Sequence, residues 1–557
     1  MQRNFSALEE TEFDLAIIGG GATGAAIALD ASLRGLHVAL IDKHDFCAAT
    51  SAGSSKLLHG GLRYLAQGHI KDVREGLRER RHWQRMAKHL VHPLPFALPV
   101  HQNAKPRRAL LKLGLYLYDA LSFDRNRGID KMQKMPGHRS LTTAQLLGLI
   151  PELARHQPDV GPLTGGLLYH DGQMLSPERL CLAMLRSVSE TGGLVVNHAE
   201  ADDFLRDGTR ICGARVKDRL SRKKAELRAK VTINAAGPWA DLVMQQADRL
   251  PAAKKLVRSK GIHIVTRNLT RGVALAAPVD DEHLFVLPWM GYCVLATTDT
   301  KFDDTPDKAK VTPSDIALLL DKANRALPEA NLSEKDIIHS YVGLRPLVAD
   351  MDMPVDATYG LSRGSEIYDH QAEGGAAGLI SALGGKWTTA RRLGEQVVDL
   401  AFAHLGRAPS KKRSADTLLA CTPREDLGRF MDTMRAQFPE EETAHIDMLS
   451  RLYGRLLPKM MAADISGLAR LKDRSLAARI AFAVDDEMAM KLEDVVLRRL
   501  VEGQIGLLSA RQIEVIADYM QTRLAWSEAE TQRQKTALAK RLGTPRKRRT
   551  APKSSAA

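Results

Sequence analysis

The stretch from Phe13 to Asp42, FDLAIIGGGATGAAIALDASLRGLHVALID, constrains this chain more than any other. Phe13–Ile18 is a short apolar run of the kind that forms a buried parallel strand. Gly19, Gly21 and Gly24 follow at G-x-G-x-x-G spacing. In that pattern the first glycine permits a tight turn and the second lets backbone approach a pyrophosphate. The third lets the next helix pack on the strand, with the phosphates at the helix N-terminus. Ala22–Leu33 carries an Ala- and Leu-rich helical pattern, Arg34-Gly35 ends it, and His37–Ile41 reads as a second strand. Asp42 stands at that strand's end, where an acid binds a ribose hydroxyl. A lone glycine pattern is weak evidence. Strand, glycines, helix, second strand and terminal acid together predict a dinucleotide-binding unit.

The 557 residues suffice for two or three domains of about 150 residues each. Hydrophobic content of 44% and charged content of 26% place the chain among ordinary globular proteins. Cys47, Cys181, Cys212, Cys293 and Cys421 are scattered, odd in number and without a C-x-x-C. That argues against a disulfide framework or a zinc site and fits a reducing cytosol. The opening MQRNFSALEETEFD lacks the apolar core of a signal peptide, and no apolar run is long enough to span a bilayer.

The net charge of +14 is uneven: Trp526 to Ala557 holds nine Lys/Arg against two Glu. This tail is expected to be disordered and solvated. It reads either as solubilising or as attracted to anionic lipid. Nucleic-acid binding is a third reading, but beyond Trp526 the tail has no aromatic residue on which bases could stack.

Further along, TSAGSSKLLHGGLRYL (Thr50 to Leu65) crowds small residues around Lys56, His59, Arg63 and Tyr64, a composition that suits close approach to a ligand. Val73–Met86 is a strongly basic helix, and HPLPFALPV (His92 to Val100) enters a strand. Arg108–Leu121 has helical spacing and a broad apolar face, expected to be core; a basic helix beside an apolar one would also suit a membrane surface. Pro177–Ser189 reads as a helix, and 193–197 and 230–234 as strands, the second leading to AAGPWAD. A doubly wound sheet is thus assembled from separated parts of the chain. The inserts, with strand-like runs at 258–266 and 283–298, form a second sheet domain over it. GRAPSKKRSAD (406–416) reads as a linker before an almost wholly helical stretch.

These motifs together resemble the flavin-dependent glycerol-3-phosphate dehydrogenases of the aerobic, membrane-associated type. The likeness covers roughly Phe13 to Gln521 and rests on five segments: GGGATGAAIALDASLRGL, TSAGSSKLLHGGLRYL, INAAGPWAD, the pair KGIHIV and VGLRPL, and GGKWTTARRLGE. ARIAFAVDDEMAMKLEDVVLRRL in the helical region adds to it. The resemblance implies an α/β fold: an FAD-binding doubly wound domain, an α+β substrate-binding sheet insert and a C-terminal helical domain. The body would span 13–405, with FAD-binding parts at about 13–85, 175–257 and 350–405 and cap parts at about 86–174 and 258–349. The linker 406–416, the helical domain 417–525 and the basic tail 526–557 would follow.

The implied reaction is oxidation of sn-glycerol 3-phosphate to dihydroxyacetone phosphate with FAD as cofactor and a membrane quinone as acceptor. Such a protein would be cytoplasmic and peripherally attached to the inner, anionic face of the cell membrane. Homodimerisation is left open, and nucleic acid is not an expected partner. The substrate is a dianionic ester, so its site needs clustered cations. Arg63, Arg345, Arg363 and Lys386 match the family's cationic pocket. Arg63, Tyr64, Arg363 and Lys386 are expected on the phosphate, and Arg345 nearer the C2 oxygen. A base must take the hydroxyl proton; His263 in KGIHIV is favoured, and His59 is the other candidate, or contacts the flavin.

For the flavin, Gly19, Gly21, Gly24 and Asp42 are assigned to the ADP half, and Ala199 to backbone contact with adenine. Thr50, Ser51, Ser54, Lys56 and Leu57 would line the ribityl chain and ring, with Ala236, Gly237 and Trp239 on a return loop. Gly384, Gly385, Lys386, Thr388 and Thr389 would start a helix facing the pyrimidine end. No metal is expected. Two departures from the family pattern stand out: Ser176-Pro177 replace an acidic pair after Tyr169 and Asp171, and Ala390 replaces a tyrosine. The alternative within the same fold is a flavin enzyme acting on an amino acid or hydroxy acid. A nucleic-acid-directed flavoprotein is a distant third.

Overall fold

The computed structural model describes residues 1–103, 107–154, 161–247, 254–279, 282–350 and 364–542, apart from the side chains of residues 63, 66, 254, 255 and 350. The protein divides into two compact units, Met1–Met460 and Met461–Ala557.

The first unit is built on two sheets. Phe13–Ile18 is buried at every position, so it is central. It pairs in parallel with Val38–Ile41 on one side and Lys224–Asn234 on the other. Leu194–Val196 and Leu379–Gly384 extend the parallel set, and Ser365–Asp369 closes one edge antiparallel. The five parallel strands therefore come from separated parts of the chain, as the sequence suggested, with Leu379–Gly384 added to those read from it. Helices Ala22–Leu33 and Ala390–His404 pack against each other closely: a Cβ at Gly394 would lie 2.9 Å from backbone atoms of Ala26.

The second, ten-stranded sheet is mostly antiparallel. Its long strands are Val91–His101, Leu163–Met174, Lys254–Thr266 and His339–Asp350. The last two pair along their length, with Ser259 opposite Arg345, Gly261 opposite Gly343 and His263 opposite Tyr341. The two motifs KGIHIV and VGLRPL are thus one ladder. Its core gathers Ile262, Ile264, Val286, Leu295 and Leu319.

Three expectations need correction. The apolar helix Arg108–Leu121 is not mainly core: Leu115 and Tyr118 are buried, while Leu110 (59% exposed), Leu113 (64%), Tyr116 (57%) and Leu117 (41%) face outward. The helix is apolar on two opposite sides, and among the described residues only one of them is buried. Second, 406–416 does not separate the units. Ser414 is buried against the Arg391 guanidinium, and 417–460 packs on the body through Leu419 N–H to Met86 O and Leu427 N–H to Asp130. Third, Glu528–Leu542 is helical, not disordered; Thr531 and Leu538, seven residues apart, are both buried on one side. Charge counting alone hides that stripe. Residues 543–557 lie outside the described residues.

The second unit, described by itself, is a small helical bundle. Leu476, Ile480, Val496, Ile516, Met520 and Leu538 form its core, and Arg479 is held bidentate by Glu502 at 2.7 and 2.9 Å. Among the described residues no helix is long and apolar enough to cross a membrane.

Candidate active site

A cavity of about 770 Å³ runs through the first unit, from the ends of the parallel strands to the face of the second sheet. At its first end the backbone does the work. Gly19 has φ +113°, and a Cβ there would sit 2.4 Å from the Ala235 carbonyl oxygen. A Cβ at Gly24 would lie 1.8 Å from the Gly19 carbonyl oxygen, so only glycine lets the helix pack on this turn. Gly20 N–H and His44 N–H each donate to one Asp42 carboxylate oxygen at 2.7 Å. Each oxygen keeps a lone pair for a further donor. Ala199 N–H donates to Asp42 O at 2.7 Å, bringing the next strand to the same place. Trp239 N–H donates to Asp307 at 2.9 Å, and Lys43 lies over the Trp239 ring. His44 beside it, with Trp239 and Lys43, holds the Asp307 carboxyl well below the usual carboxylate range.

At the other end, side chains converge from the two-strand ladder and from the loops at 50–61 and 384–388. Arg345 is fixed by Ser259 Oγ and Thr297 Oγ1, each at 2.9 Å, and by the Thr298 carbonyl at 3.2 Å. It lies flat over Gly261, where a Cβ would be 2.3 Å from its guanidinium. His263 stacks on Tyr341 with centroids 4.7 Å apart and pairs with Ser55 Oγ through Nε2 at 2.9 Å. Its Nδ1 is buried without a hydrogen-bond partner among the described residues. Burial, with Arg345 and Lys56 nearby, pushes its pKa well below that of a free imidazole, so the ring is neutral. Lys386 Nζ sits 4.0 Å from the centre of the Tyr64 ring. Trp387 N–H donates to Ser51 O at 2.9 Å, and His59 N–H to Thr388 Oγ1 at 3.1 Å, stitching the two loops together.

Beneath the Gly60-Gly61 turn lies a buried polar network. Arg80 pairs with Asp171 at 2.6 Å, and the Tyr118 hydroxyl donates to the other Asp171 oxygen at 2.7 Å. Gly60 N–H is shared between Tyr118 and Asp171 at 3.1 and 3.3 Å. This network sets the turn that leads into Tyr64.

Most expected residues line the cavity: Gly19, Gly21, Asp42, Thr50, Ser51, Ser54, Leu57, His59, Tyr64, Ala199, Ala236, Gly237, Trp239, His263, Arg345, Gly384, Gly385, Lys386 and Thr388. Gly24, Lys56 and Thr389 do not. Gly24 is a packing glycine. Lys56, only 3% exposed, points its ammonium at the rings of Trp289 and Tyr341, at 4.5 and 5.2 Å. Thr389 stands at the N-cap position of the helix that follows, without a side-chain cap bond. The Arg63 side chain and all of Arg363 lie outside the described residues. Sequence reasoning passed over Ser55, Tyr341 and the Asp171 network. Ser55 stood between two chosen residues. Tyr341 shares a strand face with Gly343 and Arg345, which period-two reading finds.

The Ser176-Pro177 departure has a local explanation. Ser176 caps the helix Pro177–Glu190, accepting from Arg179 N–H at 3.2 Å, with Pro177 in the first turn. Neither residue lines the cavity. Ala390 is buried at a helix start.

A dinucleotide flavin suits this donor set. The first end offers a glycine turn at a helix N-terminus and a carboxylate with spare lone pairs. The other end offers an unpaired buried imidazole nitrogen and two cations. A profile of the FAD dependent oxidoreductase family matches residues 14–392, and that of the C-terminal domain of alpha-glycerophosphate oxidase matches 384–531. The chain is 33% identical to a glycerol-3-phosphate dehydrogenase of Synechocystis sp., covering 89% of this chain and 90% of that one. It is 32% identical to an aerobic glycerol-3-phosphate dehydrogenase of Staphylococcus haemolyticus, covering 88% and 87%. The crystal structure of a glycerol-3-phosphate dehydrogenase from Bacillus halodurans, complexed with FAD, superposes with a TM-score of 0.78 over 96% of each chain at 25% identity. An L-alpha-glycerophosphate oxidase from Mycoplasma pneumoniae shares the fold, with a TM-score of 0.52 at 16% identity over 70% of this chain and 95% of that one. The chain belongs to the FAD-dependent oxidoreductases, in the glycerol-3-phosphate dehydrogenase family.

Proposed function

We propose that this protein oxidises sn-glycerol 3-phosphate to dihydroxyacetone phosphate and delivers the electrons to a membrane quinone. The observation that carries the reading is the convergence of Arg345, Lys386, Tyr64, His59 and His263 at one end of a cavity whose other end is built for a dinucleotide. The names of the relatives support the same substrate. FAD, when bound, supplies the hydride acceptor.

The residues then divide the remaining work. Lys386 acts as a point charge on the phosphate dianion beside the Tyr64 hydroxyl; Arg63 and Arg363 are assigned to it by resemblance. Arg345, held rigid by Ser259 and Thr297, faces the C2 oxygen and favours its negative charge as the proton leaves. His263 is the base. With Nε2–H donating to Ser55, the lone pair sits on Nδ1, and the neutral ring accepts the hydroxyl proton. His59 is the second candidate. The helix Ala390–His404 starts just past the 384–388 loop and turns its positive end toward that side of the cavity.

A quinone resides in the bilayer, so the protein works at the membrane surface, attached peripherally. Anaerobic addition of sn-glycerol 3-phosphate to the yellow holoprotein tests the reaction: rapid bleaching with dihydroxyacetone phosphate formed is expected. A flavin bleached instead by an amino acid or hydroxy acid would refute the substrate. Rapid reoxidation by a quinone analogue is expected, and peroxide formed with oxygen alone would refute the acceptor.

A further inference from the structure

The nucleotide end of the cavity carries a polar cluster that the glycine turn and its terminal acid do not require. Asp307 lies in the loop between the strand Thr300–Phe302 and the helix Pro313–Ala326. Its carboxylate accepts from Trp239 Nε1 at 2.9 Å and from Lys43 Nζ at 3.2 and 3.3 Å, and His44 Nε2 lies 3.6 Å away. The Lys43 ammonium also sits 4.3 Å from the centre of the Trp239 ring. One carboxylate thus ties three stretches together: the two residues after Asp42, the AAGPWAD turn and its own loop, with Lys43 264 and Trp239 68 residues distant in sequence. All four side chains belong to residues that line the cavity.

The loop is a part of the second sheet's half. Thr300–Phe302 pairs with Arg258–Lys260, Lys260 donates to Asp315 at 2.8 Å in the first turn of the next helix, and Leu319 of that helix is in the second sheet's core. Both ends of the loop are therefore anchored on one sheet while its middle reaches the other. The same sheet grips AAGPWAD a second time, through Arg258, which donates to Asp241 at 2.6 and 2.8 Å and to the Pro238 carbonyl at 2.9 Å. Arg258 and Asp241 stand outside the cavity lining, so that grip is structural. Asp307 differs: its side chain is 52% exposed and still lines the cavity, so it stands where the cavity meets solvent. A single exposed ion pair is worth little, but a carboxylate shared by several donors is a network, and this one bridges the rim of a ligand site.

We infer that Asp307 is a latch: by tying the second sheet's loop to Lys43 and Trp239 it closes the rim beside Asp42 and slows the departure of FAD. The latch concerns the cofactor alone and holds whichever substrate or acceptor the enzyme uses.

The test dilutes yellow holoprotein, its flavin identified as FAD, into buffer without FAD and follows free FAD in ultrafiltrates over time. Asp307→Asn should release FAD about five- to tenfold faster than the parent, and Lys43→Gln about two- to fivefold faster. Asp304→Asn alters a neighbour on the same loop that pairs with Lys308 and does not line the cavity, so it should release FAD at the parent rate. Added salt should speed release from the parent more than from Asp307→Asn, because screening removes what the substitution has already removed. The urea midpoint of each apoprotein, measured alongside, should move little. Parent-like release from both Asp307→Asn and Lys43→Gln would overturn the latch. So would release from Asp304→Asn as fast as from Asp307→Asn, or faster release that simply tracks a falling apoprotein midpoint, since the tie would then support the fold and not the ligand.

Discussion

The two ends of the cavity are built on different plans. The nucleotide end comes mostly from one continuous stretch, Phe13 to Asp42, and uses backbone: a glycine turn, a helix N-terminus and an acid held by two N–H groups. The substrate end draws on four separated stretches, tied by bonds such as Trp387 to Ser51 across 336 residues of sequence, and uses side chains. Backbone recognition needs only local geometry. Recognition of a small dianion needs charges at fixed points, and only a folded scaffold holds several arginines and lysines together against their own repulsion and desolvation.

Breaking each end separately sharpens the comparison. The largest effect is expected from Asp171→Asn, which leaves the buried Arg80 without its counter-charge. Breaking a buried pair costs about 3–5 kcal/mol, so the urea midpoint should fall markedly, and the Gly60 turn should loosen with it. An unchanged midpoint would show that the network does not support the substrate end. Next comes Gly24→Ala, whose methyl would collide with the Gly19 carbonyl. A loss of about 3 kcal/mol and a colourless preparation are expected, checked by the flavin-to-protein ratio. A yellow, stable variant would mean the turn yields more easily than its geometry implies.

Lys386→Ala and Arg345→Ala act on the opposite end and should keep the flavin. Losing a hydrogen bond to a charged group costs about 1.5–3 kcal/mol, or roughly ten- to a hundredfold in kcat/KM. Near-normal turnover in both would remove them from the substrate site.

The smallest effect per step is that of acid. Burial lowers His92 and His339 to about 4, and His263 well below its usual value. In the unfolded chain these rings take up protons below about 6.5, whereas in the folded protein His92 and His339 stay neutral until about 4, and His263 too is held neutral well below its usual value. Unfolding is therefore favoured as pH falls through that window, by about 1.4 kcal/mol per pH unit for each such ring. All three rings belong to the second sheet, so hydrogen exchange on acidification should open its strands before the parallel ones. Simultaneous loss of both sheets would deny the substrate half any special acid sensitivity.

Legibility in the sequence followed the same division. The parallel strands and the glycine turn were readable because their pattern is local. KGIHIV and VGLRPL were recognisable as motifs, but nothing local showed that they face each other in register. Ser55 and Asp171 were passed over because their importance lies in partners 208 residues away (His263) and 91 residues away (Arg80). The helix Arg108–Leu121 was misjudged for the converse reason: apolar periodicity reports that a face can be buried, not that a neighbour exists to bury it. The basic tail was misjudged because net charge conceals the buried side that Thr531 and Leu538 form.

By itself, then, the sequence determined the dinucleotide turn, the mixed α/β character and the kinds of residue gathered along the cavity, since these follow from backbone preference and side-chain chemistry. Only the tertiary structure decided that Arg345 lies clamped over Gly261, that His263 is neutral with one nitrogen unpaired, and that a leucine-rich face remains in the open. Each of these depends on what stands opposite, and packing partners are a property of the fold rather than of any segment.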